Sequence, residues 1–143
     1  EGRECYCFVN ELLRTFLSKL SKNYQYVVID TEAGMEHLSR RTTDNLDFLI
    51  VVTTLAKSSI DTVKKITDLV PKLALKIEKI SVLANMVNDN VKVDFKQIQP
   101  EGICHTDPQI YEFSEQGVSL LKFVDNTKFY QELVQYITTI LKY

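Results

Sequence analysis

Glycine is scarce in this chain. The four that occur among its 143 residues stand apart, at positions 2, 34, 102 and 117, so no glycine-rich phosphate loop of the G-x-x-x-x-G-K-[ST] kind is spelled anywhere. Long apolar runs are missing too. The longest are strand-length, well short of the roughly 20 residues a bilayer demands, and we expect neither a membrane span nor a secretory leader. Only three cysteines are present, at positions 5, 7 and 104, with no evident pairing. That argues against a secreted disulfide scaffold and for a reducing, cytoplasmic setting. No long basic block accompanies the formal net charge of −2, so nucleic acid is not indicated as a partner. With 45% hydrophobic residues the chain has material for one domain with a core, spanning 1–143, and no room for two. It opens on Glu1 rather than Met, and we expect its beginning to lie elsewhere.

Against this background the run Tyr26-Val-Val-Ile-Asp30 stands out. β-favouring, mostly apolar residues without polar interruption predict a strand buried on both faces, as in parallel sheets. Asp30 then falls at the strand's carboxyl end, the edge where open α/β sheets take ligands. Gly34 supplies a turn whose backbone a ligand can approach closely. An acid closing a buried strand before a glycine turn suits the holding of a magnesium-bound water and the sensing of a γ-phosphate.

The remaining elements alternate. Val9, Leu12, Leu13, Phe16, Leu17 and Leu20 predict an amphipathic helix ending near Asn23. Asp47 to Thr53 and Lys79 to Asn85 predict two more buried strands. Between them lies a helix with Ser58 and Ser59 as candidate caps, kinked or ended by Pro71. A short helix is expected over 91–99, a short strand near 101–107, a helical turn or two from Pro108, and an amphipathic helix from Thr127 to Lys142. Strands and helices in alternation mean crossover connections: an α/β fold, a mostly parallel sheet flanked by helices. Asn85 carries a donor and an acceptor that match a purine edge, although a strand-end Asn is often only a turn former. Cys104 and His105, adjacent on a strand, point to opposite faces and read as structural.

Cys5 and Cys7 are separated by one residue, so in an extended segment both sulfurs face one side. Two thiolates leave a tetrahedral site half filled; a two-fold homodimer supplies the other half. Cys7 also precedes a helix start, which favours thiolate. The other reading is a pair of small buried thiols with no ion.

Taken together, Cys5-Tyr-Cys7, the helix after it, the run Val27 to Arg41 and Leu83-Ala-Asn85 resemble the CooC-type nickel-insertion ATPases of carbon monoxide dehydrogenase, within the MinD-like P-loop ATPases. The resemblance covers nearly all of this chain but only the C-terminal portion of the family's. It implies a partial MinD-like fold, an ATP/ADP-Mg cofactor and a homodimer that serves carbon monoxide dehydrogenase. By resemblance, Asp30 orders magnesium, Asp30 to Gly34 form the switch, and Asn85 reads adenine. Asp107 and Pro108 flank the base, while Cys5 and Cys7 hold nickel or zinc with their symmetry mates. The family's phosphate loop, and the N-terminal segment that carries it, are missing from this sequence, so we expect the chain alone to be inactive as an ATPase. That loop's strand is central, so without it a gap or two exposed edges follow. Two other classes fit the residues: a metal-dependent dimerisation module without nucleotide, and a fragment of a MinD-like partition ATPase.

Overall fold

The computed structural model describes residues 7–31, 45–73, 75–89, 98–119 and 127–142, with the backbone alone at position 7. Four helices and three strands are found there: α1 (Cys7–Ser21), β1 (Asn45–Thr53), α2 (Lys57–Leu69), β2 (Lys76–Val87), β3 (Gly102–His105), α3 (Pro108–Glu115) and α4 (Lys128–Ile140). A 3-10 turn, Val70–Leu73, follows α2. Pro71 lies inside that turn, so the helix ends where its missing amide proton predicts. The sheet runs β1-β2-β3, and β2 pairs with β3 in parallel through Leu83↔Gly102 and Ala84↔Ile103. The chain divides into two compact units, 1–49 with 65–79, and 50–64 with 80–143.

The second unit holds most of the core. Tyr136 and Ile140 on α4 are buried, as are Ser81, Leu83 and Ala84 on β2. α4 packs on β3 at Gly102, where an added Cβ would stand 2.3 Å from Tyr136 Cδ2 and 2.9 Å from Leu83 Cδ1. The missing side chain is what lets the ring lie against the strand. Tyr136 then donates from its hydroxyl to Ser81 Oγ at 2.7 Å, pairing two buried polar groups. Thr127 caps α4 by accepting the Tyr130 amide at 3.3 Å.

Several expectations change in detail. β1 forms as predicted, but its last residues alternate: Val51 and Thr53 are buried while Val52 is 58% exposed, so the strand is not covered on both faces. Ser58 and Ser59 lie inside the first turn of α2 rather than capping it. The Ile60 amide bonds the Ala56 carbonyl, and the Ser59 hydroxyl pairs with that of Thr54 at 2.9 Å. α1 forms with its predicted period, yet Phe8, Val9, Leu12 and Phe16 are exposed.

The largest correction concerns Tyr26 to Asp30. This run is no strand: residues 26–31 carry no regular structure, and Val28 is 93% exposed. A strand exists through its ladder, and none of the three described strands pairs with this segment. Local β-propensity cannot replace that partner. The expected helix over 91–99 lies almost wholly outside the described residues.

Candidate functional site

The carboxyl ends of β2 and β3 meet at a bulge. From Ala84 to Val87 the first strand advances three residues while its partner advances two, from Ile103 to His105. Asn85 and Met86 therefore share one opposing residue. Met86 takes up the difference with φ of 57°, the only positive φ of a non-glycine residue among those described. Its amide donates to Asn85 Oδ1 at 2.9 Å. That bond uses one lone pair of the Asn85 carbonyl; its amide nitrogen is not engaged by it. A strained residue at a strand end is a frequent mark of a working site.

Beyond the bulge the two strands are tied again. The Thr106 amide donates to the Val87 carbonyl at 3.0 Å. The chain then enters Asp107-Pro108, which opens α3. Asp107 is the N-cap, accepting the Gln109 amide at 3.0 Å on Oδ1, and Pro108 occupies the first turn, where its lack of an N–H costs nothing. Asp107 Oδ2 lies 3.5 Å from the Phe129 amide at the start of α4.

Beside these residues sits a charged cluster. His105 Nδ1 is 2.6 Å from Glu132 Oε1, and the His105 backbone amide donates to Glu132 Oε2 at 2.7 Å. On the ring's other side Nε2 lies 3.3 Å from Asp89 Oδ1, which also accepts from Lys128 Nζ at 2.6 Å. The Lys128 hydrogen bond holds the Asp89 carboxyl below the usual range; desolvation opposes it, and the charges of Lys128 and His105 add to the lowering. Cys104 is fully buried, and burial, with Glu132 nearby, pushes its thiol above the ordinary range. Such a thiol is inert, in keeping with a structural role. A cavity of about 320 Å³ opens between β3 and α4, lined by Gly102, His105, Glu132 and Tyr136 among others; neither Asn85 nor Asp107 reaches it.

Of the residues singled out in the sequence, Asn85 near the end of β2 and Asp107 and Pro108 in the turn from β3 into α3 lie in the second unit. Asp30 is in the first unit, exposed, in a segment without regular structure. Gly34 and Cys5 lie outside the described residues; Cys7 is the first residue of α1, its side chain outside them. Among the described residues no group of three or more His, Cys, Asp or Glu is placed to hold a metal ion. Sequence reasoning missed the His105–Glu132 pair. The partners are 27 residues apart, and no local pattern announces them.

The fold defines the class. A ParA family ATPase from Chlorobium tepidum superposes with a TM-score of 0.75 over 96% of this chain and 61% of its own, at 20% identity. The septum site-determining protein MinD from Pyrococcus horikoshii, complexed with Mg-ADP, superposes at 0.70 over 92% and 56%, at 18% identity. The architecture is thus that of MinD and ParA, a parallel sheet flanked by helices. In sequence, an ATP-binding protein of Methanocaldococcus jannaschii is 37% identical over 99% of this chain and 58% of its own length. The carbon monoxide dehydrogenase accessory protein CooC of Rhodospirillum rubrum is 36% identical over 66% and 35%. The chain thus spans less than two thirds of the relatives it matches. No protein-family model matches it.

Proposed function

We propose that this chain is the switch and base-binding portion of an ATP-dependent accessory protein that helps insert nickel into carbon monoxide dehydrogenase. The observation that carries the nucleotide part is the bulge: Met86 held at φ of 57° beside Asn85, at the carboxyl ends of two parallel strands. The side-chain amide of Asn85 suits an acceptor on the adenine edge, and Asp107-Pro108 flanks the base from the neighbouring strand end. Asp30, an exposed carboxylate, suits a water on magnesium and is the catalytic carboxylate of the switch that ends at Gly34. The names of the M. jannaschii and R. rubrum relatives, one for ATP and one for the dehydrogenase, support the same reading. Bound ATP supplies the phosphoryl chemistry; this chain's part is to hold the base and present a carboxylate. The setting is the cytoplasm.

Cys5 and Cys7, with the same pair from a second copy, make up the four soft ligands that nickel or zinc accepts. Size exclusion with and without either metal tests this. We expect a dimer that needs both the metal and the thiols. An oligomer indifferent to metal and to Cys5→Ser with Cys7→Ser sinks the site.

A second reading, a metal-dependent dimerisation module without nucleotide, draws on one feature. Cys7 opens a helix whose Phe8, Leu12 and Phe16 are exposed and ready to associate. A metal-dependent dimer in a chain that binds adenosine no better than guanosine favours it.

A further inference from the structure

We infer that His105 is a positioning residue for adenine recognition, and that Asp89 and Glu132 are the two anchors through which it acts; the inference rests on the assignment of Asn85 to the base. Asn85 and Met86 lie where β2 departs from the ladder, and the first residue back in register is Val87, whose partner is His105. A bulge with positive φ at a methionine persists only where the surroundings over-determine it. Here the determination comes from one side. Glu132 grips His105 twice, at the ring and at the backbone amide, and so fixes the strand end to α4. His105 Nε2 reaches Asp89, two residues beyond Val87, and Lys128 holds that same carboxylate oxygen from the start of α4. The chain on the C-terminal side of the bulge is thereby pinned at Val87 and at Asp89. Two residues past His105, Asp107 is held by the amides of Gln109 and Phe129. One imidazole thus stands between the two segments that face the base, with a carboxylate against each of its nitrogens.

Releasing His105 lets the bulge relax and turns Asn85 away from the base, while every residue that touches the base stays intact. The test titrates the protein with adenosine and with guanosine, which carry no phosphate and so probe the base edge alone. In His105→Ala and in Glu132→Ala the adenosine Kd is expected to rise ~10-fold, the loss of about one hydrogen bond to a base edge, with the guanosine Kd unchanged. Glu132→Gln keeps an acceptor for the His105 amide and is expected to restore adenosine binding to within ~3-fold. His105→Asn, a smaller perturbation, retains the Glu132 contact while losing reach to Asp89, and is expected to fall between; it serves where the alanine variants do not fold. A general loss of stability lowers both affinities together and leaves their ratio alone. If Asn85→Ala abolishes the adenosine preference while His105→Asn and Glu132→Ala retain it, the positioning inference is overturned and the base reading stands. If the unaltered protein shows no preference, or Asn85→Ala leaves it intact, the base reading falls and this inference with it.

Discussion

Met86 is strained, and the strain is measurable. A non-glycine residue in the left-handed region costs about 1–2 kcal/mol, and at φ of 57° Met86 sits within it. Met86→Gly relieves that cost but loosens the unfolded chain by about 0.5–1 kcal/mol. We expect a net gain of ~0.5 kcal/mol by chemical denaturation. Met86→Val, β-branched, is expected to lose stability instead. At Asp89 the effect depends on pH. Its carboxyl titrates below the ordinary value of 3.8, chiefly because Lys128 bonds the charged form. The folded state thus binds its proton less readily than the unfolded state does. The contribution is present above the unfolded pKa and is lost as pH falls through the folded one. Asp89→Asn is therefore expected to flatten the acid side of a Tm-against-pH curve. A curve of unchanged slope removes Asp89 from the account. Asn85 was legible in the sequence as a donor–acceptor residue closing an apolar run. That the next residue would turn left-handed was not, because methionine does not advertise positive φ.

Among the elements, α4 packs directly on β3, and Gly102 is the condition of that contact. Gly102→Ala puts a methyl where the Tyr136 ring lies, and we expect a loss of about 1–3 kcal/mol as the helix is pushed off the strand. Tyr136→Phe keeps the ring but strands the Ser81 hydroxyl in the core, for about 1–3 kcal/mol. Both are read from urea midpoints, and a neutral outcome for Gly102→Ala places the ring elsewhere. The α4 pattern, Thr127 to Lys142, was plain in the sequence from its helical period; that Thr127 caps it was shown by the structure. β2 was plain as an apolar run closing on Asn85, and β3 as a short strand running into the Asp107-Pro108 turn. Tyr26 to Asp30 has the same composition and failed. Nothing in a run of five residues records whether a neighbouring strand exists to accept its hydrogen bonds.

For the molecule as a whole, the faces left open set the behaviour. α1 exposes Phe8, Leu12 and Phe16, and Val28 stands almost fully in water. Apolar area of this kind favours association. We expect concentration-dependent self-association in sedimentation, reduced by Leu12→Glu with Phe16→Glu; indifference to both changes removes α1 as the cause. Phosphate affinity is a second property at this scale. Most of the grip on a nucleotide triphosphate comes from a phosphate loop that no part of this sequence spells. Calorimetry is therefore expected to find no micromolar binding of Mg-ATP to this polypeptide, and such binding would overturn that assignment. The amino-acid sequence by itself determined the alternation of strands and helices, the fold class, and the residue types at the strand ends, because each depends on patterns within one turn or one strand. The tertiary structure alone decided which apolar run became a strand and where the ladder slipped at Asn85. It alone joined His105 to Glu132 and Asp89. Pairing, register and charge contacts depend on partners distant along the chain, and those partners meet only once it has folded.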